Sequence, residues 1–192
     1  MELLQHPNVV PYYSYEKTGI FHQIIMGLAD ESLAQIIRRT KLTEEEIKPI
    51  VRTLVKCLAH LEAKQVLWLD MKPDNILMKG GQALITDFGL SIKYDELYTQ
   101  RIRCGTVGYM PPEISVDYCP RRTSDVYCLG ATVFSMLTRK NPCEATMFKG
   151  LWRAEVETNI SKELLCFLTQ ALCLDADLRP SAQQLLHHRW LN

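Results

Sequence analysis

Apolar positions recur at helical spacing along several stretches of the chain. The longest stripe is Ile47, Ile50, Val51, Leu54, Val55, Leu58 and Leu61, preceded by Thr43 and Glu46 in the Thr-x-x-Glu spacing of a capping box. It predicts a helix from roughly residue 44 to 64, about six turns long. Pro49 falls in the second turn, where it costs a backbone bond or a bend. Val126, Leu129, Val133, Phe134 and Leu137 form a wider stripe, as expected of a helix buried in a domain centre, opened by Thr123-Ser124-Asp125 and ended by Asn141-Pro142. Leu164, Leu165, Leu168, Leu172 and Cys173 predict an amphipathic helix over 161–173. Shorter helices are expected over 30–39 and, capped by Ser181, up to His187. Strand formers over 9–16 and 20–26, around Thr18-Gly19, predict a hairpin, and Ile76-Leu77-Met78 and Ala83-Leu84-Ile85, around Gly80-Gly81, predict another. Between Gly89 and Gly105 periodicity gives way to a polar loop, and 143–160 yields no readable element.

The second hairpin sits between two polar motifs. Asp70, Lys72 and Asn75 precede it as D-x-K-P-x-N, and Asp87-Phe88-Gly89 follows it. A hairpin returns the chain to where it started, so both loops come to one end. Asp87 and Asn75 offer oxygen ligands suited to a hard cation such as Mg²⁺. Asp70 can accept a proton from a hydroxyl, and Lys72 can neutralise charge on a transferred phosphoryl group. Phosphoryl transfer rests on such positioning and charge stabilisation.

Composition narrows the setting. A chain of 192 residues fits one domain, and 47% apolar content supports a sizeable core. With 22 basic and 22 acidic residues the charge calls for no nucleic-acid or membrane partner. The opening residues do not read as a signal peptide. The seven cysteines show no C-x-x-C or metal-ligand spacing, so reduced thiols in a cytoplasmic or nuclear protein are expected.

The stretch 68–89 resembles the catalytic and metal-binding loops of the eukaryotic protein kinases. The likeness extends along the chain. Gly105-Thr106-Val107-Gly108-Tyr109-Met110-Pro111-Pro112-Glu113 is similar to the kinase G-T-x-x-Y-x-A-P-E closure, and Leu178-Arg179-Pro180-Ser181 to its R-P-S/T motif. The resemblance implies an α+β kinase-like fold. Residues 1–26 would be a remnant of the small lobe, with the end of one helix and two strands; 27–29 would be the hinge and 30–192 the large lobe. It implies ATP and Mg²⁺ as cofactors and a protein substrate. Asp70 would be the base, Lys72 would meet the γ-phosphate, and Asn75 and Asp87 would hold Mg²⁺. Met26 would be the gatekeeper, Gly27 and Ala29 would offer hinge backbone to adenine, and Leu77 would join the nucleotide site. Thr106 would touch Asp70 and Lys72. Asp125 would hold the catalytic-loop backbone, and Arg179 would pair with Glu113. Lys72 and Thr106 point to the serine/threonine class, and two stretches are compatible with NIMA-related kinases.

Some positions depart from the pattern. The His-Arg expected before Asp70 is Trp68-Leu69. Leu69 replaces the arginine that meets an activation-loop phosphate, and Arg101, Ile102, Arg103 and Cys104 carry no hydroxyl. Activity is therefore expected not to be switched by phosphorylation there, with Thr99 and Tyr98 the nearest acceptors. Trp68 would stack under Phe88, continuing a spine with Met1 and Tyr12. The Gly-rich loop, the strand lysine and its glutamate partner would lie ahead of Met1. Two functions are thus expected to compete: a serine/threonine protein kinase, and a pseudokinase that binds or scaffolds other proteins.

Overall fold

The computed structural model describes residues 5–96 and 104–192. The first hairpin is β1 (Tyr12–Thr18) and β2 (Phe21–Met26), antiparallel, with Gly19 at φ 62 in the turn. It starts later than Val9. Val9 instead bridges to Ile85, Val10 donates its amide to the Ile85 carbonyl, and Pro11 has no amide to give a ladder. The turn moves accordingly to Gly19-Ile20.

The helix expected from Asp30 begins only at Leu33. Glu31 and Ser32 form β3 (Glu31–Ser32) instead, and α1 (Leu33–Arg39) is capped by Ser32, which exchanges hydrogen bonds with Gln35. A residue used as an N-cap has extended backbone and cannot also lie in the helix. The long helix appears as α2 (Glu44–Ala63), with the Thr43–Glu46 capping box in place and Pro49 accommodated inside it. Its buried face carries the whole expected stripe.

β4 (Val66–Leu67) leads to the D-x-K loop. β5 (Ile76–Lys79) and β6 (Gln82–Ile85) pair antiparallel across Gly80 and Gly81, at φ 54 and 78. Two positive φ values in a two-residue turn match the strand twist and favour glycine. β3 joins the edge of β5, giving the order β3-β5-β6. β7 (Ile92–Lys93) pairs with β4, within the stretch read as an irregular polar loop. Five consecutive residues, Leu90 to Tyr94, do alternate apolar and polar, a signal too short to stand out.

The rest is helical: α3 (Pro112–Ser115), α4 (Ser124–Thr138), α5 (Glu144–Phe148), α6 (Trp152–Val156), α7 (Lys162–Ala171) and α8 (Ala182–Leu185). α5 and α6 occupy the stretch that the sequence left unread. α4 is buried on every side from Ser124 to Met136, with α2, α6 and α7 packed around it. Gly130 lets α4 and the end of α7 come close, since a Cβ there would stand 2.8 Å from Leu172 Cγ. The main apolar cluster runs through Leu54, Leu58, Tyr127, Phe134, Phe167 and Trp190. The fold is α+β, with small sheets on one side of a helical core. No helix of the described residues is long and apolar enough to cross a membrane.

Candidate active site

The β5–β6 hairpin brings the two motif loops together. Ile76 pairs with Ile85, and the Thr86 amide donates to the Asn75 carbonyl at 3.1 Å. Asn75 therefore ends one loop directly opposite the residue before Asp87. The first loop is held from below by α4. Trp68 and Leu69 donate their amides to the two Asp125 carboxylate oxygens, each at 2.7 Å. Asp125 is 4% exposed. Burial pushes its carboxyl up to about 6, against the opposing effect of those two amides. Leu69 itself adopts φ 68, the left-handed region that a branched side chain rarely occupies.

Four side chains then converge. The Asp70 Oδ1 accepts from the Thr106 hydroxyl at 2.7 Å, and its Oδ2 accepts from the Asn75 amide nitrogen at 2.7 Å. Lys72 Nζ lies 3.0 Å from Asp70 Oδ2 and donates to Thr106 Oγ1 at 2.7 Å. Asn75 also donates to the Asp70 carbonyl, which leaves its side-chain oxygen as the group with ligand capacity. Asp70 and Asn75 are buried, and Lys72 is partly exposed.

Asp87 sits at φ 59, exposed, with Oδ1 accepting from the Gly89 amide at 3.2 Å. Its carbonyl accepts from the Trp68 indole N–H at 2.7 Å, a link that no spacing of residues foreshadows. The Trp68 and Phe88 rings stand 5.9 Å apart, tilted by 33°. Tyr12 is 36% exposed in β1, and Met1 lies outside the described residues. Tyr98, Thr99, Arg101, Ile102 and Arg103 lie outside them as well.

The candidate nucleotide side lies along the hairpin. Met26 Sδ is 3.8 Å from Thr86 Oγ1, next to Asp87. Gly27 donates to the Pro11 carbonyl at 2.7 Å, and a Cβ there would come within 3.0 Å of the Pro11 ring. Just after Ala29, the Asp30 amide bonds the Met78 carbonyl, beside Leu77 in β5. A hollow of about 860 Å³ between Leu42, Glu44, Leu137 and Lys140 is elsewhere and contains none of these residues.

Arg179 and Glu113 form a bidentate pair at 2.8 and 3.0 Å, with the Ser124 hydroxyl also on Glu113. The Arg179 guanidinium adds the Cys173 and Thr123 carbonyls and lies 5.2 Å from the Tyr127 ring centre. The pair is buried, so removing either partner would strand the other's charge.

Asn75 and Asp87 supply two oxygen donors. That set suits Mg²⁺, which keeps waters and phosphate oxygens for its other positions. Among the described residues no group of three or more His, Cys, Asp or Glu is placed to hold a metal by itself.

The protein kinase domain model matches residues 1–191. The chain belongs to the protein kinase domain family. It is 26% identical over 207 residues to calcium/calmodulin-dependent protein kinase type 1 of Macrobrachium nipponense, covering 98% of this chain and 59% of that protein. It is 26% identical over 197 residues to Aurora kinase C of Mus musculus, covering 98% and 71%. It is 30% identical over 200 residues to serine/threonine-protein kinase shk2 of Schizosaccharomyces pombe, covering 97% and 34%. The chain thus spans between about a third and seven-tenths of these relatives' own lengths. The protein kinase family as a whole uses ATP with Mg²⁺.

Proposed function

We propose that this kinase domain transfers the γ-phosphate of ATP to a serine or threonine hydroxyl of a protein. The hydrogen-bonded set Asp70, Lys72, Asn75 and Thr106 carries the proposal. Asp70 would orient the acceptor hydroxyl and take its proton. Lys72 would hold the charge that develops on the transferred group. Thr106 bridges the two, fixing their separation before substrate arrives. Asn75 and Asp87 would hold Mg²⁺, which when bound neutralises phosphate charge. Met26, Gly27, Ala29 and Leu77 would line the adenine side. Glu113, Asp125 and Arg179 would act as supports. In this reading residues 1–26 are small-lobe remnant, 27–29 the hinge and 30–192 the large lobe, in a cytoplasmic or nuclear protein.

A second reading is a pseudokinase that binds or scaffolds proteins. It is favoured by Trp68 and Leu69, which stand where the resemblance implies the His-Arg pair before the catalytic Asp. Two measurements separate the readings. Mg-ATP should raise the melting temperature of the unaltered chain, and Asp87→Asn should remove the Mg²⁺-dependent part of that rise. Asp70→Asn should lower phosphoryl transfer by roughly 10²- to 10⁴-fold while leaving the thermal shift in place. Absence of any shift rules out nucleotide binding. A shift without transfer, equal in both forms at position 70, supports the pseudokinase.

A further inference from the structure

Leu69 stands where the resemblance implies a phosphate-binding arginine. It is 1% exposed and belongs to a small apolar cluster separate from the main core. Tyr94, Cys104, Met110 and Ile114 share that cluster, with Leu67 beside Leu69 and Ile92 packed against it. These residues come from three stretches. Leu67 and Leu69 enter the catalytic loop. Ile92 and Tyr94 lead into residues 97–103, and Cys104 and Met110 lead out of them.

Each stem is also braced by backbone. β4 pairs with β7, and the Tyr94 amide donates to the Gln65 carbonyl at 2.9 Å. On the other side Gly105 lies against the catalytic loop at φ +112. A Cβ there would stand 2.8 Å from the Leu69 carbonyl and 2.9 Å from Met110 Cγ. Only glycine allows that approach. The Tyr109 and Met110 amides both donate to the Thr106 carbonyl, continuing the brace to the residue that bridges Asp70 and Lys72. The described members of the cluster are all apolar or weakly polar. Arg122 covers it from outside, with its guanidinium 5.1 Å from the Tyr94 ring centre.

We propose that Leu69 is a positioning residue: the apolar knot around it fastens both stems of the 97–103 segment to the catalytic loop, and so sets Thr106 against Asp70 and Lys72 without a phosphate. In this arrangement burial of apolar surface replaces the charge pair. The fastening does not depend on salt or on an upstream kinase. The consequence for turnover rests on the kinase reading above, whereas the fastening can be measured without turnover.

Hydrogen exchange on the full chain, followed by mass spectrometry, tests it. Leu69→Ala should raise exchange at Tyr94, Tyr109 and Met110 by at least about tenfold, with α4 and α7 unchanged. Leu69→Met, which keeps the volume, should return those amides to within about threefold of the unaltered chain. Phosphatase treatment of the unaltered chain should change none of them. No rise in Leu69→Ala, an equal rise in α4, or loosening after phosphatase would each overturn the proposal. If the chain phosphorylates a peptide, Leu69→Ala should lower kcat and raise KM for the peptide while KM for Mg-ATP holds. If transfer is absent yet the exchange pattern is as expected, the kinase reading fails and the knot stands.

Discussion

At the scale of single residues, geometry fixes the protonation state of His6. Its Nδ1 accepts the Asn8 amide at 3.1 Å, and Cys57 Sγ is 3.8 Å away. An imidazolium has no lone pair to accept with, so the bond requires the neutral ring. The His60 ring centre is 5.0 Å off. Burial, then His60, then Lys56 hold the His6 pKa below 6.5. A depressed histidine pKa means that the folded chain prefers the neutral form. Its contribution to stability is present above pH 6.5 and is lost as pH falls through the lower folded value. The urea midpoint should therefore drop between pH 7.5 and pH 5, and drop less in His6→Gln; equal losses would show that His6 is not the titrating group. The Cys57 and His60 partners of His6 lie about fifty residues away on α2, beyond the range of any local pattern. The meeting of Asp70, Lys72 and Asn75, and the return of the Asp87 loop beside Asn75, were legible by contrast, because motif spacing and a glycine turn together imply that both loops share one end. Trp68 was legible as a ring beneath Phe88, but its bond to the Asp87 carbonyl depends on a rotamer that no spacing encodes.

At the scale of elements, the long helices were legible and the two-residue strands were not. α2 and α4 carry stripes of several turns, and the caps at Thr43 and Ser181 mark starts by local chemistry. β4 and β7 exist only because Val66-Leu67 and Ile92-Lys93 find each other across some twenty-five residues. Periodicity over two positions carries no information about such pairing. The joints between elements are also tertiary. Glu44, in the first turn of α2, accepts from the Ser161 amide and hydroxyl and from the Trp190 indole. Burial works against the Glu44 carboxylate, but these donors prevail and hold its pKa below the usual range. The Arg179–Glu113 joint ties the stretch after α7 to α3 and the start of α4. Arg179→Ala would leave the Glu113 carboxylate buried and uncompensated, at a cost of about 3–5 kcal/mol in urea unfolding. Replacing both, as Arg179→Met with Glu113→Leu, should cost clearly less, since no charge is then stranded. A loss below about 1 kcal/mol for the single variant would mean that water reaches Glu113.

At the scale of the whole molecule, stability and the proposed nucleotide side are carried by different parts. The main apolar cluster draws on α1, α2 and the helices from α4 onward, and on β5 and β6, but on neither strand of the β1–β2 hairpin. Phe21 is 68% exposed and Ile24 54%, so removing their apolar surface forfeits little burial. Each does sit opposite a partner, Phe21 facing Thr18 and Ile24 facing Tyr15, and such pairs are worth roughly 0.2–1 kcal/mol. Phe21→Ser combined with Ile24→Thr should therefore lower the global unfolding free energy by less than about 2 kcal/mol. The same change should reduce concentration-dependent light scattering, because exposed apolar surface promotes association. It should also weaken any Mg-ATP thermal shift. β2 ends in Met26 beside Thr86 and leads into Gly27, so a frayed hairpin would misplace the proposed adenine side without touching Asp70 or Lys72. Unchanged unfolding together with a diminished nucleotide response is the outcome that places the hairpin in binding and outside the folding core. A large loss of stability would show that the strands cover core surface after all.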